Sequence, residues 1–350
     1  MISTDIILIG AGPIGLELAV ALKSVGASYI HLEAGQIAQT VSWYPAQTRF
    51  FSSPERIAIA NVPLHTIDQS KATREEYLAY LRGIVQQFDL DIHTFERVET
   101  VQREPDGFVI RTRRSDAQQI YAARRIVLAV GDMAKPRLLH VPGEDLPHVS
   151  HYFTDPHQYF RQKLLVVGGG NSAVEAALRC FRVGAQVSLS YRRDHFDESA
   201  IKYWLLPELQ ALIKHDKVAF HPQTVVRSIA PGKVTLVPVG PSTNGADENA
   251  GSTLDADFVL LLTGYVADST LLDMLGVRLE GENRSPVIDP QTMQTNVPGV
   301  YVVGTAVAGT QTHFRLFIEN CHIHVSRVVK ALTGKQVLAA TPKDFGLPEN

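Results

Sequence analysis

The chain has 350 residues, 45% of them hydrophobic and 20% charged, with a formal net charge of −3. That length suits two domains with sizeable cores, and the near-neutral balance lacks the basic footprint of a nucleic-acid binder. Only two cysteines are present, Cys180 and Cys321, which excludes a disulfide framework and any Cys-x-x-Cys redox pair.

The first predicted element is a strand that begins by residue 5 and runs through Ile6-Ile7-Leu8-Ile9. So early a start leaves no room for a signal peptide, no apolar run reaches membrane-spanning length, and a cytoplasmic protein is expected. The strand leads into Gly10-Ala11-Gly12-Pro13-Ile14-Gly15 and then a helical pattern. Glycines here free the backbone for a tight turn, and N–H groups at the helix start can receive a pyrophosphate. Eighteen residues past Gly15, the strand Tyr29-Ile30-His31-Leu32 closes on Glu33. A carboxylate at that point accepts hydrogen bonds from both ribose hydroxyls and repels a 2′-phosphate.

A loop-rich stretch from Gln36 to Pro63 carries Trp43-Tyr44-Pro45 and Phe50-Phe51-Ser52-Ser53. Its aromatics either line a cofactor pocket or pack under a long connection; Thr40 and Tyr44 are candidate cofactor contacts. Residues 73–88 read as one amphipathic helix, with Tyr77, Leu78, Leu81, Ile84, Val85 and Phe88 forming a core stripe. Three strands follow, at 97–101, at 107–111 after a Pro-Asp-Gly turn, and at 120–130, the last ending at Gly131. A loop with Pro136, Pro142, Gly143 and Pro147 reads as a crossover between domains.

The scheme then repeats. Leu164-Leu165-Val166-Val167 leads into Gly168-Gly169-Gly170-Asn171-Ser172-Ala173, and the same count of eighteen from Ala173 reaches Tyr191, followed by Arg192 and Arg193. A guanidinium pair attracts a 2′-phosphate and binds it bidentately, so this second fold should prefer NADPH over NADH. Cys180, in the helix after the motif, reads as a small packed hydrophobe. Gly240 to Thr253 reads as a polar hairpin loop. The apolar strand 258–262 ends in Thr263-Gly264-Tyr265, echoing Ala129-Val130-Gly131, which points to a duplicated architecture. The tail brings a further apolar strand ending at Gly304 and a helix from about Phe314 to Leu332. A strand returning so late, without a nucleotide motif of its own, should rejoin the first domain.

Glycines after a strand can be only a tight turn, and an arginine pair only a solvated strand end. Two such motifs with matched spacing and opposite end charges favour two mononucleotide folds instead. The expected fold class is α/β with two Rossmann-like dinucleotide-binding domains, residues 1–132 plus 264–350 holding one nucleotide and an inserted domain, 133–263, holding NADPH. Histidines are plentiful, and His148 and His151 share an i, i+3 spacing, but no matching cysteine or carboxylate set accompanies them, so no metal site is expected. His313 and His322 are candidate proton donors.

The order of these motifs resembles the two-dinucleotide-binding flavoprotein superfamily that includes thioredoxin reductase. The resemblance runs through the first glycine motif, Glu33, the strand ending at Gly131, the second motif, Arg192-Arg193, Thr263-Gly264 and the strand ending at Gly304. It implies FAD in the first fold, NADPH in the inserted one, and hydride transfer between them. Closer matching is to the bacillithiol disulfide reductase-like branch. The marks are Tyr44-Pro45, Phe50 to Ser53, Pro142 to Phe153, Ser199 to Lys202 with Leu205-Leu206-Pro207, and Phe317-Ile318-Glu319-Asn320. Glu319 joins the candidate cofactor residues on this ground.

One departure matters. The branch is expected to carry a cysteine inside the first glycine motif, where this chain has Ile14, and an isoleucine cannot form a mixed disulfide. Cys321 is the remaining catalytic candidate, since the superfamily's last helix points its N-terminus at the flavin and a thiol there can have a lowered pKa; a packed thiol is the alternative. The expected activity is therefore an NADPH-dependent FAD oxidoreductase that delivers electrons to an external acceptor: a low-molecular-weight disulfide, ferredoxin, flavodoxin, a quinone or oxygen. A flavin monooxygenase and a non-enzymatic dinucleotide sensor are the alternatives. The expected partner is a small molecule or small redox protein, with no nucleic acid and no membrane, and self-association is left open.

Overall fold

The structure, a computed structural model, describes residues 1–240, 251–312 and 315–338. It divides into two compact units. The first comprises Met1–Trp43, Gln47–Lys135 and the chain from Tyr265 onward; the second is Pro136–Gly264 with the short stretch Tyr44–Ala46.

The first unit is built on the strands β1 (Ile2–Ile9), β2 (Tyr29–Leu32), β3 (Ile92–His93), β4 (Arg97–Glu104), β5 (Gly107–Arg114) and β6 (Ala117–Leu128). They lie in the order β3-β2-β1-β6-β5-β4. The half from β3 to β6 is parallel, with Ile7 opposite Ile30 on one side and Ile126 on the other. Ile6, Ile7 and Leu8 are fully buried, as continuous apolar runs become when helices cover both faces of a parallel sheet. The other half is an antiparallel meander. Strand β6 is forked: its first part pairs with β5, while Ile126–Leu128 pairs in parallel with the late strand Val300–Val302. The strand returning from the tail thus joins the first sheet.

Helix α1 (Pro13–Ser24) follows the first glycine turn and packs against the last helix, His322–Thr333. The helix Arg74–Gln87 buries Tyr77, Leu81 and Ile84 and starts at a capping box, in which Thr73 and Glu76 satisfy each other's backbone N–H groups.

The second unit has a five-stranded parallel sheet in the order Ala219–Pro222, Gln186–Tyr191, Lys163–Val167, Phe258–Leu261, Val149–Ser150. The first four strands match β3, β2, β1 and β6 in spatial order and in chain order, so the internal echo in the sequence is a repeat of this four-strand core; the fifth place is filled differently, by Val149–Ser150 from before the glycine turn rather than by a late strand such as Val300–Val302. Alternation along Lys163–Val167 sends Leu164 and Val166 into the core under the helix Asn171–Arg182. Leu165 and Val167 face the antiparallel sheet formed by Thr224–Ala230, Lys233–Pro238 and Ser252–Asp255. Of the hairpin loop expected between the last two, residues 241–250 lie outside the described residues.

The last helix begins at His322, later than expected. His313 and Phe314 lie outside the described residues, and the segment after them is irregular up to a single tight turn, Ile318–Asn320. Side chains take the backbone groups that a helix would use. Gln311 Oε1 accepts from the N–H groups of Arg315 and Leu316 at 2.9 and 3.0 Å, and Asn320 Oδ1 accepts from Phe317 N–H at 2.7 Å.

Candidate functional site

In the first unit the glycine turn closes against the end of β6. A Cβ on Gly10 (φ +106°) would lie 2.4 Å from the Ala129 oxygen, and one on Gly15 would lie 2.0 Å from the Gly10 oxygen. Close backbone approach means that a side chain at either place would force the backbone to shift. Gly12 differs, because nothing lies within 4 Å of its Cβ position. It is the N-cap of α1, with no side-chain cap and with Pro13 at the first turn. Helix N–H donors therefore face an open cradle that a Cβ would fill, the arrangement that receives a pyrophosphate.

Glu33 sits beside this cradle, 9% exposed. Its Oε2 accepts from Ala11 N–H and its Oε1 from Gly35 N–H, both at 2.7 Å. Each oxygen keeps a further lone-pair direction for a hydroxyl. Two residues earlier, His31 Nε2–H donates to the Gly10 carbonyl at 2.9 Å, and burial pushes the ring down to about pKa 4, so it stays neutral. A histidine at an inward position of an otherwise apolar strand is the signal that could have marked His31 as the fastener of the turn.

Ile14, Gly131 and Gly304 come together near the start of α1. The side chain of Ile14 is 3.4 Å from the Cβ position of Gly304, and Thr305 Oγ1 is 3.9 Å from that of Gly131; both glycines have φ near +70°. His324 Nδ1 accepts from Gly304 N–H at 3.2 Å, and burial followed by the charge of Arg327 lowers that ring to about 4. Thr40 lies in the short helix Gln39–Ser42, tied to the turn where Ala38 N–H donates to the Ala11 carbonyl at 2.9 Å. Glu319, in the tight turn before the last helix, accepts from Ser52 Oγ at 2.6 Å. Tyr44 falls with the second unit instead.

His322 is not an exposed proton donor. It is 2% exposed, its Nδ1 lies 2.6 Å from Glu17 Oε2, and its Nε2 lies 3.1 Å from the Arg56 carbonyl. Burial alone would lower its pKa, but the hydrogen bond and charge of Glu17 outweigh that and hold it above the usual value. The pair fastens α1 to the last helix.

In the second unit the corresponding turn repeats the design. Gly170 is the N-cap of Asn171–Arg182, again without a side-chain cap and with nothing within 4 Å of its Cβ position. Gly169 lies under the Tyr191 ring, which a Cβ would meet at 2.3 Å. Gly168 N–H donates to the Ser190 carbonyl at 3.0 Å, Ser172 is exposed and Ala173 is buried. Asn171 is spent locally: its Nδ2 donates to the Ala200 carbonyl at 3.0 Å, and its Oδ1 accepts from Lys202 N–H at 2.7 Å. Its side chain thus positions the segment 200–202. Arg192 and Arg193 are exposed just past the strand, with Arg193 Nη1 3.8 Å from Asp197 Oδ2.

A family model described as "Pyridine nucleotide-disulphide oxidoreductase" matches residues 7–304. The chain belongs to that family. It is an oxidoreductase with FAD and NADPH as its cofactors. Bacilliredoxin reductase Bdr of Bacillus subtilis is 33% identical over 337 residues, covering 96% of this chain and 99% of that one. A ferredoxin–NADP reductase of Ignicoccus hospitalis is 28% identical over 305 residues, covering 86% and 89%. Among solved structures, bacillithiol disulfide reductase Bdr (YpdA) from Bacillus cereus superposes with a TM-score of 0.87 at 33% identity, covering 95% of this chain and 99% of that one.

Both thiols of this oxidoreductase are enclosed by the protein. Cys180 and Cys321 are both fully buried, and burial, more than any neighbouring charge, pushes each thiol up to about 12. At Cys321 the charges of Asp132, Glu319 and Glu17 act in the same direction. Of the two readings of Cys321, the structure matches the packed thiol and not a lowered pKa at the start of the last helix: enclosure and surrounding carboxylates prevail over the helix N-terminus. Asp132 itself is buried, accepts from Gln311 Nε2 at 2.8 Å, and has its pKa raised by burial. Among the described residues no cluster of three or more histidine, cysteine or carboxylate side chains is set to hold a metal, although His151 Nε2 has one carboxylate, Glu144, at 3.4 Å. No described helix is long and apolar enough to cross a membrane.

Proposed function

We propose that the first turn holds FAD, the second holds NADPH, and electrons leave for an external acceptor without passing through a protein thiol. The observation that carries this is the state of the two cysteines, both enclosed and both with a pKa pushed by burial up to about 12, which keeps them as thiols near neutral pH. Bound FAD supplies hydride acceptance from nicotinamide and onward electron delivery. The rest falls to the chain's own residues. Gly12 and the N-terminus of α1 hold the FAD pyrophosphate, Glu33 binds the ribose hydroxyls, and Thr40, Gly131, Gly304 and Glu319 complete the set. Gly170, Ser172 and the helix start behind them hold the second pyrophosphate, and Arg192 with Arg193 takes the 2′-phosphate.

The acceptor that fits is a small redox protein of the ferredoxin or flavodoxin class or a quinone, since these need no thiol exchange; the similarity to ferredoxin–NADP reductases supports the same choice. Similarity to Bdr favours a second reading, reduction of a low-molecular-weight disulfide. A cytoplasmic setting is part of both. The purified protein should be yellow. Reduced anaerobically with NADPH and mixed in turn with ferredoxin, flavodoxin, quinone, bacillithiol disulfide and oxygen, it should reoxidise fastest with one of the first three, and equally fast as the Cys180→Ser/Cys321→Ser variant. Reoxidation by disulfide alone, lost in that variant, would overturn the proposal.

A further inference from the structure

The arginines assigned to the 2′-phosphate stand in acidic company. Asp194, Asp197 and Glu198 follow them, so residues 192–198 hold three acidic side chains against two basic ones. Asp194 pairs with His195 at 2.5 Å, and Glu198 is exposed. Asp197 is the one fixed in place. Its Oδ1 accepts from Ser199 Oγ at 2.6 Å and from Ser199 N–H at 3.1 Å, while its Oδ2 lies 3.8 Å from Arg193 Nη1. The Ser199 hydroxyl, with the backbone N–H groups and the arginine behind it, holds the carboxyl below the usual carboxylate range, so it is ionised whenever nucleotide is present.

We infer that Asp197 is a specificity-determining residue of the second nucleotide site: its anchored carboxylate engages Arg193 and opposes a 2′-phosphate, leaving Arg192 as the main phosphate-recognising cation and narrowing the preference for NADPH over NADH. This rests on the assignment of Arg192 and Arg193 to the 2′-phosphate. A phosphate arriving at Arg193 must share that guanidinium with a carboxylate already there, and it meets a like charge held by two hydrogen bonds. An exposed pair contributes little to folding. The repulsion still acts on any dianion placed beside it, attenuated by solvent and salt. Neutralising Asp197 should tighten a 2′-phosphorylated ligand by about 3- to 15-fold at low salt.

The test uses the FAD-loaded protein, so that only the second site is open, and measures binding by calorimetry with 2′,5′-ADP and with 5′-AMP, which lacks the 2′-phosphate. Asp197→Asn removes the charge but keeps an oxygen to accept from Ser199 N–H. It should tighten 2′,5′-ADP about 3- to 15-fold, leave 5′-AMP within about twofold, and lose most of its gain at high salt, as screening requires. Ser199→Ala keeps the charge and loses the anchor, and should change the ratio of the two affinities by less than half as much on a logarithmic scale. Asp197→Asn without tightening, or tightening both ligands alike, overturns the inference, as does a Ser199→Ala gain equal to that of Asp197→Asn. Arg192→Ala separates this failure from that of the parent reading. If it weakens 2′,5′-ADP tenfold or more and spares 5′-AMP, the arginine assignment stands whatever Asp197 does. If it weakens both equally or neither, the assignment and the inference fall together.

Discussion

Replacing His322 by leucine should destabilise the first unit by about 3–5 kcal/mol, the usual consequence of removing one member of a buried ion pair. Glu17 is 3% exposed, and its carboxylate oxygen sits 2.6 Å from the imidazole; the leucine removes that donor and also the one serving the Arg56 carbonyl at 3.1 Å. The double variant Glu17→Leu/His322→Leu removes the buried carboxylate as well. Its cost should fall to about 1–2 kcal/mol, most of it the carbonyl left without its donor. Urea unfolding followed by the fluorescence of Trp43, in a Trp204→Phe background, reports on the unit that contains the pair. The pH dependence has a definite sign. Because folding raises the pKa of His322 from 6.5, the pair's contribution is fully present below about pH 6.5 and is lost as pH rises through the higher folded value. The gap between the natural chain and His322→Leu should therefore be wider at pH 6 than at pH 9. A double variant as unstable as, or less stable than, the single one would refute the reasoning.

Gly12→Ala should leave the melting temperature of the FAD-free protein nearly unchanged, since the new methyl meets nothing within 4 Å, yet weaken FAD tenfold or more in a fluorescence titration; unaltered FAD affinity would remove Gly12 from the cradle. Gly15→Ala is the contrasting case, with a Cβ 2.0 Å from the Gly10 oxygen, and should cost about 1–3 kcal/mol of stability as well as the yellow colour. Neither cysteine should react with a thiol reagent at pH 8 in the native protein, and both should do so in denaturant; rapid native labelling of Cys321 would contradict its burial. Thr73→Ala should cost about 1 kcal/mol through loss of the capping box, read as a lowered urea midpoint at constant m-value.

The parts of the molecule legible in the sequence are those that local backbone rules dictate. Both glycine turns, the strand–helix alternation around them and the apolar stripe of Tyr77, Leu81 and Ile84 follow from spacing over a dozen residues. What could not be read depends on partners distant in sequence. His31 reaches Gly10 across 21 residues, Gln311 reaches Asp132 across 179, and His322 reaches Glu17 across 305. Asn171 has a motif position that suggests a ligand contact, but its amide is committed to Ala200 and Lys202, some thirty residues ahead. The late start of the last helix has the same origin, since Gln311 and Asn320 compete for N–H groups that periodicity alone would place in a helix. Glu17 did leave a trace, as a carboxylate between the buried Leu16 and Leu18.

The fork in β6 fixes an order of completion during synthesis. Its edge at Ile126–Leu128 waits for a partner that leaves the ribosome only with Val300–Val302, after all of Pro136–Gly264 has emerged. Until then the first sheet exposes unpaired backbone groups and lacks the inward side chains of Val300 and Val302 from its core. The second unit can be finished while the first, begun earlier, is still open, and closing it means joining segments more than 170 residues apart, a slow and non-local event. A nascent chain halted before Val300 would carry one complete nucleotide fold and one with an adhesive edge, the form in which this protein is most exposed to aggregation.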